Sequence, residues 1–250
     1  MRAFKDHFSA GSADYAAYRP TYPRALVDFL AEASPRTELA LDCGCGSGQL
    51  SALLAERFAR VVAADASAQQ IENAERRANV EYRVAPAEAS GLPDASADLV
   101  TAAQAAHWFD LPAFYAEARR VARRRGIVAL VSYGVIAMDE PVHAVVRHFY
   151  RDVVGPYWPP ERRHVEEGYR AFDFPFAEFP APPLAIEIAW TRDELAGYAD
   201  TWSAVRQAEK ALGREPVERF RQELAQAWGE PQMRRTVRFP LSLRVGRVVK

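Results

Sequence analysis

The stretch LALDCGCGSGQL, residues 39–50, constrains the fold of this chain most, because three glycines follow a short apolar run directly. Residues 39–43 have the composition of a short buried strand, and residues 49–58 repeat apolar side chains at helical spacing. Glycine lets the backbone turn sharply and approach a ligand without an intervening Cβ. A glycine loop between a strand and a helix is typical of nucleotide sites in open α/β sheets.

The first half of the chain continues this alternation. Further strands are predicted at 60–65, 80–85, 97–102 and 127–132, and further helices at 68–78 and 111–124. Strands separated by helices of this size pair in parallel, so we predict a parallel sheet with helices on both faces.

The second half departs from that rhythm. A helix is predicted at 141–154, a strand at 184–190, a capped helix opening at Thr191, a helix at 214–228 and one or two closing strands at 236–249. Residues 155–183 are rich in proline and aromatic residues. The prolines exclude a regular helix, and the segment is too apolar to be a disordered linker. We predict that this segment packs over one end of the sheet as a lid.

Composition limits the partners of the chain. With 250 residues, 49% of them hydrophobic, it fits one large domain or one domain with a subdomain. A net charge of −1 shows no excess that would favour nucleic acid or a membrane surface. The charged N-terminus does not resemble a signal peptide, and no apolar run approaches the roughly 18 residues that span a bilayer. We therefore expect a cytoplasmic protein without nucleic-acid or membrane partners; its oligomeric state is left open.

The two cysteines, Cys43 and Cys45, favour neither a metal site nor a redox pair. Structural zinc usually needs two pairs of Cys or His ligands, and the histidines form no complementary pair here. Redox pairs are usually Cys-x-x-Cys, and a single intervening residue strains a disulfide. We interpret both cysteines as small residues that fill the space around a turn, and we predict no metal.

The acids beside the loop restrict the nucleotide that it can bind. Gln49 replaces the third glycine of a dinucleotide motif, and Asp42 would repel a pyrophosphate, so an NAD-type oxidoreductase is disfavoured. Asp65 ends the second strand, 21 residues after Gly44, where a carboxylate can accept hydrogen bonds from both ribose hydroxyls. A nucleoside that lacks a pyrophosphate and carries positive charge fits these residues, and S-adenosylmethionine meets that description.

Several motifs, in order over residues 10–135, resemble the class I, Rossmann-like S-adenosylmethionine-dependent methyltransferases of the type 11 group. They are DCGCGSG at 42–48, Asp65, Ala87-Glu88, LPD at 92–94 and ADLV at 97–100. The segments YAAYRPTYP at 15–23, QAAHWF at 104–109 and TWS at 201–203 resemble the trans-aconitate methyltransferase-like branch. The resemblance implies a doubly wound, mostly parallel, seven-stranded α/β sheet with an insertion over the active-site end. It also implies an N-terminal helical arm at 1–38, a cofactor-binding core at 39–135, and a lid with closing strands at 136–250.

The resemblance implies a set of cofactor contacts. Asp42 and the glycine loop would hold the methionine part, Asp65 the ribose, and residues after the second and third strands the adenine. Many relatives have aspartate where this chain has Glu88. The implied cofactor-binding residues are Asp42, Gly44, Cys45, Gly46, Gly48, Gln49, Asp65, Ala66, Gln70, Ala87, Glu88, Gln104 and Ala105.

The motifs say less about which residues bind the methyl acceptor. The candidate substrate-binding residues are Tyr15, Tyr18, Arg19, His107, Trp108 and Tyr133. Arg19 can bind a carboxylate bidentately or lie on the surface. His107 can orient or deprotonate an acceptor or be structural, and Trp108 can form a wall of the pocket or pack in the core. We name no obligatory catalytic residue, because methyl transfer from a sulfonium depends mainly on alignment and desolvation.

We therefore expect a methyltransferase that acts on a small molecule, most simply on a carboxylate oxygen. A non-catalytic protein that binds S-adenosylmethionine or S-adenosylhomocysteine would share the same motifs. Methylation of a protein or another macromolecule also stays open, although the neutral charge disfavours nucleic acid.

Overall fold

The computed structural model describes residues 20–249, which form one mixed sheet with the order β3-β2-β1-β4-β5-β8-β6, and β7 pairs with β8. The strands are β1 Leu39–Cys43, β2 Arg60–Asp65, β3 Val80–Val84, β4 Ala97–Ala103, β5 Ala122–Tyr133, β6 Ala177–Glu178, β7 Ala185–Trp190 and β8 Arg235–Arg247. β1 to β5 pair in parallel, and β8 runs antiparallel to β5, β6 and β7. Seven of these strands have five or more residues, and β6 has two. The predicted Rossmann-like, mostly parallel seven-stranded fold is confirmed.

The helices within the described chain are α1 Arg24–Ala33, α2 Gln49–Leu54, α3 Ala68–Glu72, α4 Leu111–Val121, α5 Val142–His148, α6 Arg162–Glu166, α7 Arg192–Asp200, α8 Ser203–Leu212 and α9 Glu215–Trp228. Single turns lie at Ala106–Trp108, Phe149–Val153 and Gly155–Tyr157. The predicted cap of α7 is present: the Thr191 hydroxyl accepts from the Glu194 N–H, and the Glu194 carboxylate accepts from the Thr191 N–H. No described helix is long and apolar enough to cross a membrane.

Several predicted bounds were wrong. The predicted helices at 49–58 and 68–78 end early, at Leu54 and Glu72. The predicted helix at 111–124 ends at Val121, because Ala122 already pairs with Ala97 at the start of β5. The chain closes with one long strand: the first part of β8 pairs with β7 and the rest with β5.

The core has two layers, one on each face of the sheet. One layer joins α1 and α2 to the sheet and extends into α7, α8 and α9, where the Phe149 and Phe220 rings stack with centroids 4.1 Å apart. The other layer packs α4 against β1, β4 and β5. Phe174 and Phe176 join this second layer on the Tyr115 ring. Part of the proline-aromatic segment therefore covers the α4 side of the core, and Glu161 of the same segment lines the cleft described next.

Candidate active site

A cleft of about 910 Å³ opens where the chain leaves the carboxyl ends of β1, β2, β3 and β4. The carboxyl ends of parallel strands meet at one edge of a sheet, where ligands of open α/β folds bind. Fourteen of the residues implied by the motifs line it: Asp42, Gly44, Cys45, Gly46, Gln49, Asp65, Ala66, Gln70, Ala87, Glu88, Gln104, Ala105, His107 and Trp108. The structure thus brings together residues that are up to 66 positions apart in the chain.

The glycine loop, residues 44–48, packs closely against side chains from other parts of the chain. Gly44 has φ +64°, and a Cβ there would lie 2.5 Å from the Cβ of Ala105. Gly48 has φ +85°, and a Cβ there would lie 2.3 Å from the Tyr82 hydroxyl, behind the loop. Gly48 is not among the described residues that line the cleft, and its contact with the cofactor stays a prediction.

Gly46 presents bare backbone to the cleft. Among the described residues, a Cβ on Gly46 would meet only the Gln70 side-chain oxygen, at 3.7 Å. Its N–H donates to the Asp65 carboxylate over 2.9 Å, and the N–H of Ser67 donates to the other Asp65 oxygen over 2.8 Å. A carboxylate has about four acceptor positions, so two stay available for ribose hydroxyls. The cradle therefore fits an adenosine ligand.

Asp42 is a buried acid under the loop. It is 1% exposed and accepts hydrogen bonds from Ser51 Oγ at 2.6 Å and from Thr101 Oγ1 at 2.9 Å. Burial raises the pKa of Asp42 to about 6, the two hydroxyls oppose that change, and the charge of Asp65 adds to it. No ion pair within residues 20–249 involves Asp42, so its charge at neutral pH suits a ligand ammonium group.

The proposed adenine side is lined by residues after β2 and β3. Ala66, Gln70, Ala87 and Glu88 all face the cleft. The Glu88 carboxylate accepts from the N–H of Asp110 at 2.8 Å, which fixes the start of α4. Glu88 therefore has a structural partner in addition to its position in the cleft.

Gln104 directly follows β4 and has a left-handed conformation, with φ +53°. Its N–H donates to the Val131 carbonyl at 2.8 Å, and its side-chain amide donates to the Tyr133 carbonyl at 2.9 Å. Tyr133 itself does not line the cleft. Tyr133 is 6% exposed, and its ring packs near those of Tyr22 and Phe239, so its contact with substrate stays a prediction.

His107 and Trp108 lie on the turn after β4. His107 Nδ1 lies 3.0 Å from the Tyr169 hydroxyl, and burial, with the charge of Arg162 in addition, lowers the pKa of His107 to about 3. The imidazole is therefore neutral and a weak base. The Trp108 ring centre lies 4.6 Å from that of His107, and both side chains line the cleft. Tyr15, Tyr18 and Arg19 lie outside the described residues.

Sequence reasoning missed several lining residues. Tyr22, Phe109 and Glu161 face the cleft. Tyr22 and Phe109 fall within the quoted motif segments, which was a usable signal. Glu161 comes from the proline-aromatic segment, and no residue pattern there singled it out.

The two thiols stay protonated. Cys43 is buried and Cys45 half-buried, and burial, with the charge of Asp42 in addition, raises the pKa of both. In the described part of the chain, no group of three or more His, Cys, Asp or Glu residues is placed to hold a metal ion.

The strand order, the glycine turn and the acid that ends β2 define a class: the Rossmann-like proteins, whose cleft at this edge of the sheet fits an adenosine ligand. Comparison with known proteins narrows that class. The type 11 "Methyltransferase domain" family model matches residues 41–130. A candidate methyltransferase of Dictyostelium discoideum is 34% identical over 229 residues, which cover 90% of this chain and 87% of that protein.

Comparison with solved structures also points to methyltransferases. A solved structure from Anaeromyxobacter dehalogenans, described as a candidate type II methyltransferase, superposes with a TM-score of 0.89 at 50% identity, covering 92% of this chain and 98% of that one. The malonyl-[acyl-carrier protein] O-methyltransferase of Serratia marcescens is 34% identical over 136 residues, 53% of this chain and 52% of that protein. The chain belongs to the methyltransferase-domain family and is an S-adenosylmethionine-dependent methyltransferase of class I.

Proposed function

We propose that this enzyme methylates a small-molecule acid on a carboxylate oxygen. The observation that carries the proposal is the environment of His107: among the described residues it is the imidazole that lines the cleft, and its Nδ1 lies 3.0 Å from the Tyr169 hydroxyl. Its pKa of about 3 leaves it too weak a base to deprotonate a hydroxyl or an amine at neutral pH. A carboxylate acceptor is already ionised at that pH and needs no such base.

The cleft residues then act by position. Bound S-adenosylmethionine supplies a methyl carbon activated by the adjacent sulfonium. We infer that Asp42 and Gly46 hold the methionine part, that Asp65 binds the ribose, and that Gln104 and Ala105 line the path of the methyl group. Tyr22, His107 and Trp108 would exclude water and orient the acceptor.

Two resemblances support an acid acceptor. The Serratia marcescens relative is named for O-methylation of malonyl-[acyl-carrier protein], and a malonyl thioester carries a free carboxylate. The segments at 15–23, 104–109 and 201–203 resemble the trans-aconitate methyltransferase-like branch. We further propose that residues 39–135 form the cofactor half of the site, and that residues 1–38 and 136–250 supply its acceptor side.

A panel of mono-, di- and tricarboxylic acids tests the proposal. Each acid and its matched amide are incubated with enzyme and S-adenosylmethionine, and methyl esters are detected by mass spectrometry. We expect ester formation from at least one acid and no product from its amide. Binding of S-adenosylhomocysteine without turnover of any acid would contradict the proposal, and would favour a binding protein or a macromolecular acceptor.

A further inference from the structure

Arg162 lies beside the proposed acceptor end of the cleft. It begins α6, which lies against β5 and against the Ala106–Trp108 turn. The approach to β5 is close, because a Cβ on Gly134 would lie 3.4 Å from the Cα of Glu166. The positive charge of Arg162 contributes to the lowered pKa of His107, which agrees with this proximity.

Aromatic rings surround the Arg162 guanidinium. Its central carbon lies 4.9 Å from the Trp158 ring centre and 5.7 Å from that of Tyr150. Its Nε donates to the Tyr150 hydroxyl at 2.8 Å, and its side chain is 21% exposed. A half-buried cation loses part of its hydration, and a paired anionic group offsets that cost.

Within residues 20–249, the pairing of the Arg162 guanidinium is incomplete. The closest carboxylate oxygen, Glu166 Oε1, lies 3.8 Å from Nε and already accepts a hydrogen bond from the Tyr150 hydroxyl. Among residues 20–249, neither terminal nitrogen of Arg162 donates to a protein acceptor. Arg244 shows the contrast: its guanidinium donates to both oxygens of Glu178, at 2.9 and 2.8 Å.

Space for an acceptor exists beside the Arg162 side chain. Arg162 lines a second cleft of about 800 Å³ together with Tyr150 and Trp158. Glu161 lines both this second cleft and the cofactor cleft, so the two adjoin. A guanidinium presents a planar pair of N–H groups that matches a carboxylate or a phosphate.

We propose that Arg162 binds an anionic group of the acceptor other than the oxygen that is methylated. Hydrogen bonds from a guanidinium to the reacting oxygen would stabilise its charge and weaken it as a nucleophile, so the bound group is the non-reacting one. The acceptor class is then a small acid with at least two anionic groups. This inference rests on the proposed function for its identification of the acceptor.

The binding test uses the whole chain saturated with S-adenosylhomocysteine and two probes, succinate and inorganic phosphate, each titrated by calorimetry. We expect Arg162→Gln to weaken binding of the preferred probe at least tenfold and Arg162→Lys to weaken it less. Arg170→Gln is the matched control, because Arg170 is an exposed arginine that lies outside both clefts. The preference between the two probes identifies the anionic group as a carboxylate or a phosphate.

A kinetic test separates substrate recognition from packing. With a dicarboxylic acceptor, Arg162→Gln should raise KM at least tenfold, while KM for S-adenosylmethionine and for a monocarboxylic acceptor stays unchanged. If Arg162→Gln does not fold, the wild-type protein is labelled with phenylglyoxal instead. We then expect succinate or phosphate to protect Arg162 but not Arg170 when modification is mapped by mass spectrometry.

The outcomes distinguish this inference from the proposed function. Unchanged probe binding and unchanged KM in folded Arg162→Gln, or no protection of Arg162, would overturn the inference even if acids are methylated. Probe binding that depends on Arg162, without methyl ester from any acid, would support the anion site and contradict carboxylate methylation.

Discussion

Replacing Asp42 by asparagine should stabilise the cofactor-free protein at alkaline pH. The folded state holds the pKa of Asp42 at about 6, against an ordinary value of 3.8. Between those values the folded state retains a proton that the unfolded state has released, so stability falls as pH rises through this window. A shift of about 2 units corresponds to about 3 kcal/mol, an upper bound for the cost of the buried charge.

Asparagine removes that charge and keeps the shape. Its amide can hydrogen-bond to both Ser51 and Thr101, the partners of Asp42 in the structure. We expect Asp42→Asn to raise the free energy of unfolding by about 1–3 kcal/mol at pH 8, and to give no gain at pH 4, where wild-type Asp42 is protonated. Urea unfolding of both proteins at the two pH values measures this difference.

Asp98 provides the control. It is also fully buried, but its carboxylate accepts from the backbone N–H groups of Glu38 and Leu39 and lies 3.6 Å from Arg123 Nε. Asp98→Asn should therefore destabilise the protein at pH 8 rather than stabilise it. The reasoning would be refuted if Asp42→Asn were less stable than wild type at pH 8. It would also be refuted if the substitution changed the free energy of unfolding by the same amount at both pH values.

The remaining predictions concern the site itself. Asp65→Ala should weaken S-adenosylmethionine binding by about one to two decades in calorimetry, because it removes hydrogen bonds to a charged group, and unchanged affinity in a folded variant would remove Asp65 from the site. The pH profile of kcat should show no inflection near pH 6.5 from His107, whose pKa is about 3, and an inflection that disappears in His107→Gln would contradict this. Deleting residues 1–19 should leave a folded protein that has lost methyl transfer, whereas normal turnover and acceptor choice would leave Tyr15, Tyr18 and Arg19 without a role in the site.

Local hydrophobic patterns in the sequence predicted the strands and helices that surround the cleft. β1 and β2 have the bounds that the sequence predicted, because each centres on a short, nearly continuous apolar run of the kind that forms a strand buried on both faces. The gathering of Asp42, Asp65 and Gln104 in one cleft followed from the rule that parallel strands end at the same edge of a sheet.

Contacts between distant parts of the chain were harder to predict. The start of β5 at Ala122 depends on pairing with Ala97, which overrides the helical pattern there. Gly48 belongs to a glycine motif, but only the folded chain shows how closely Tyr82 on β3 approaches it. Arg162 follows two prolines in a segment without regular spacing, so only the folded chain shows that it adjoins His107.

The most direct test of the cofactor site is a crystal structure of the chain with bound S-adenosylhomocysteine. We predict the ribose hydroxyls on the Asp65 carboxylate, the amino group beside Asp42, and the sulfur near Gln104 and Ala105. Ligand bound elsewhere, or in this cleft with its ribose away from Asp65, would contradict the account.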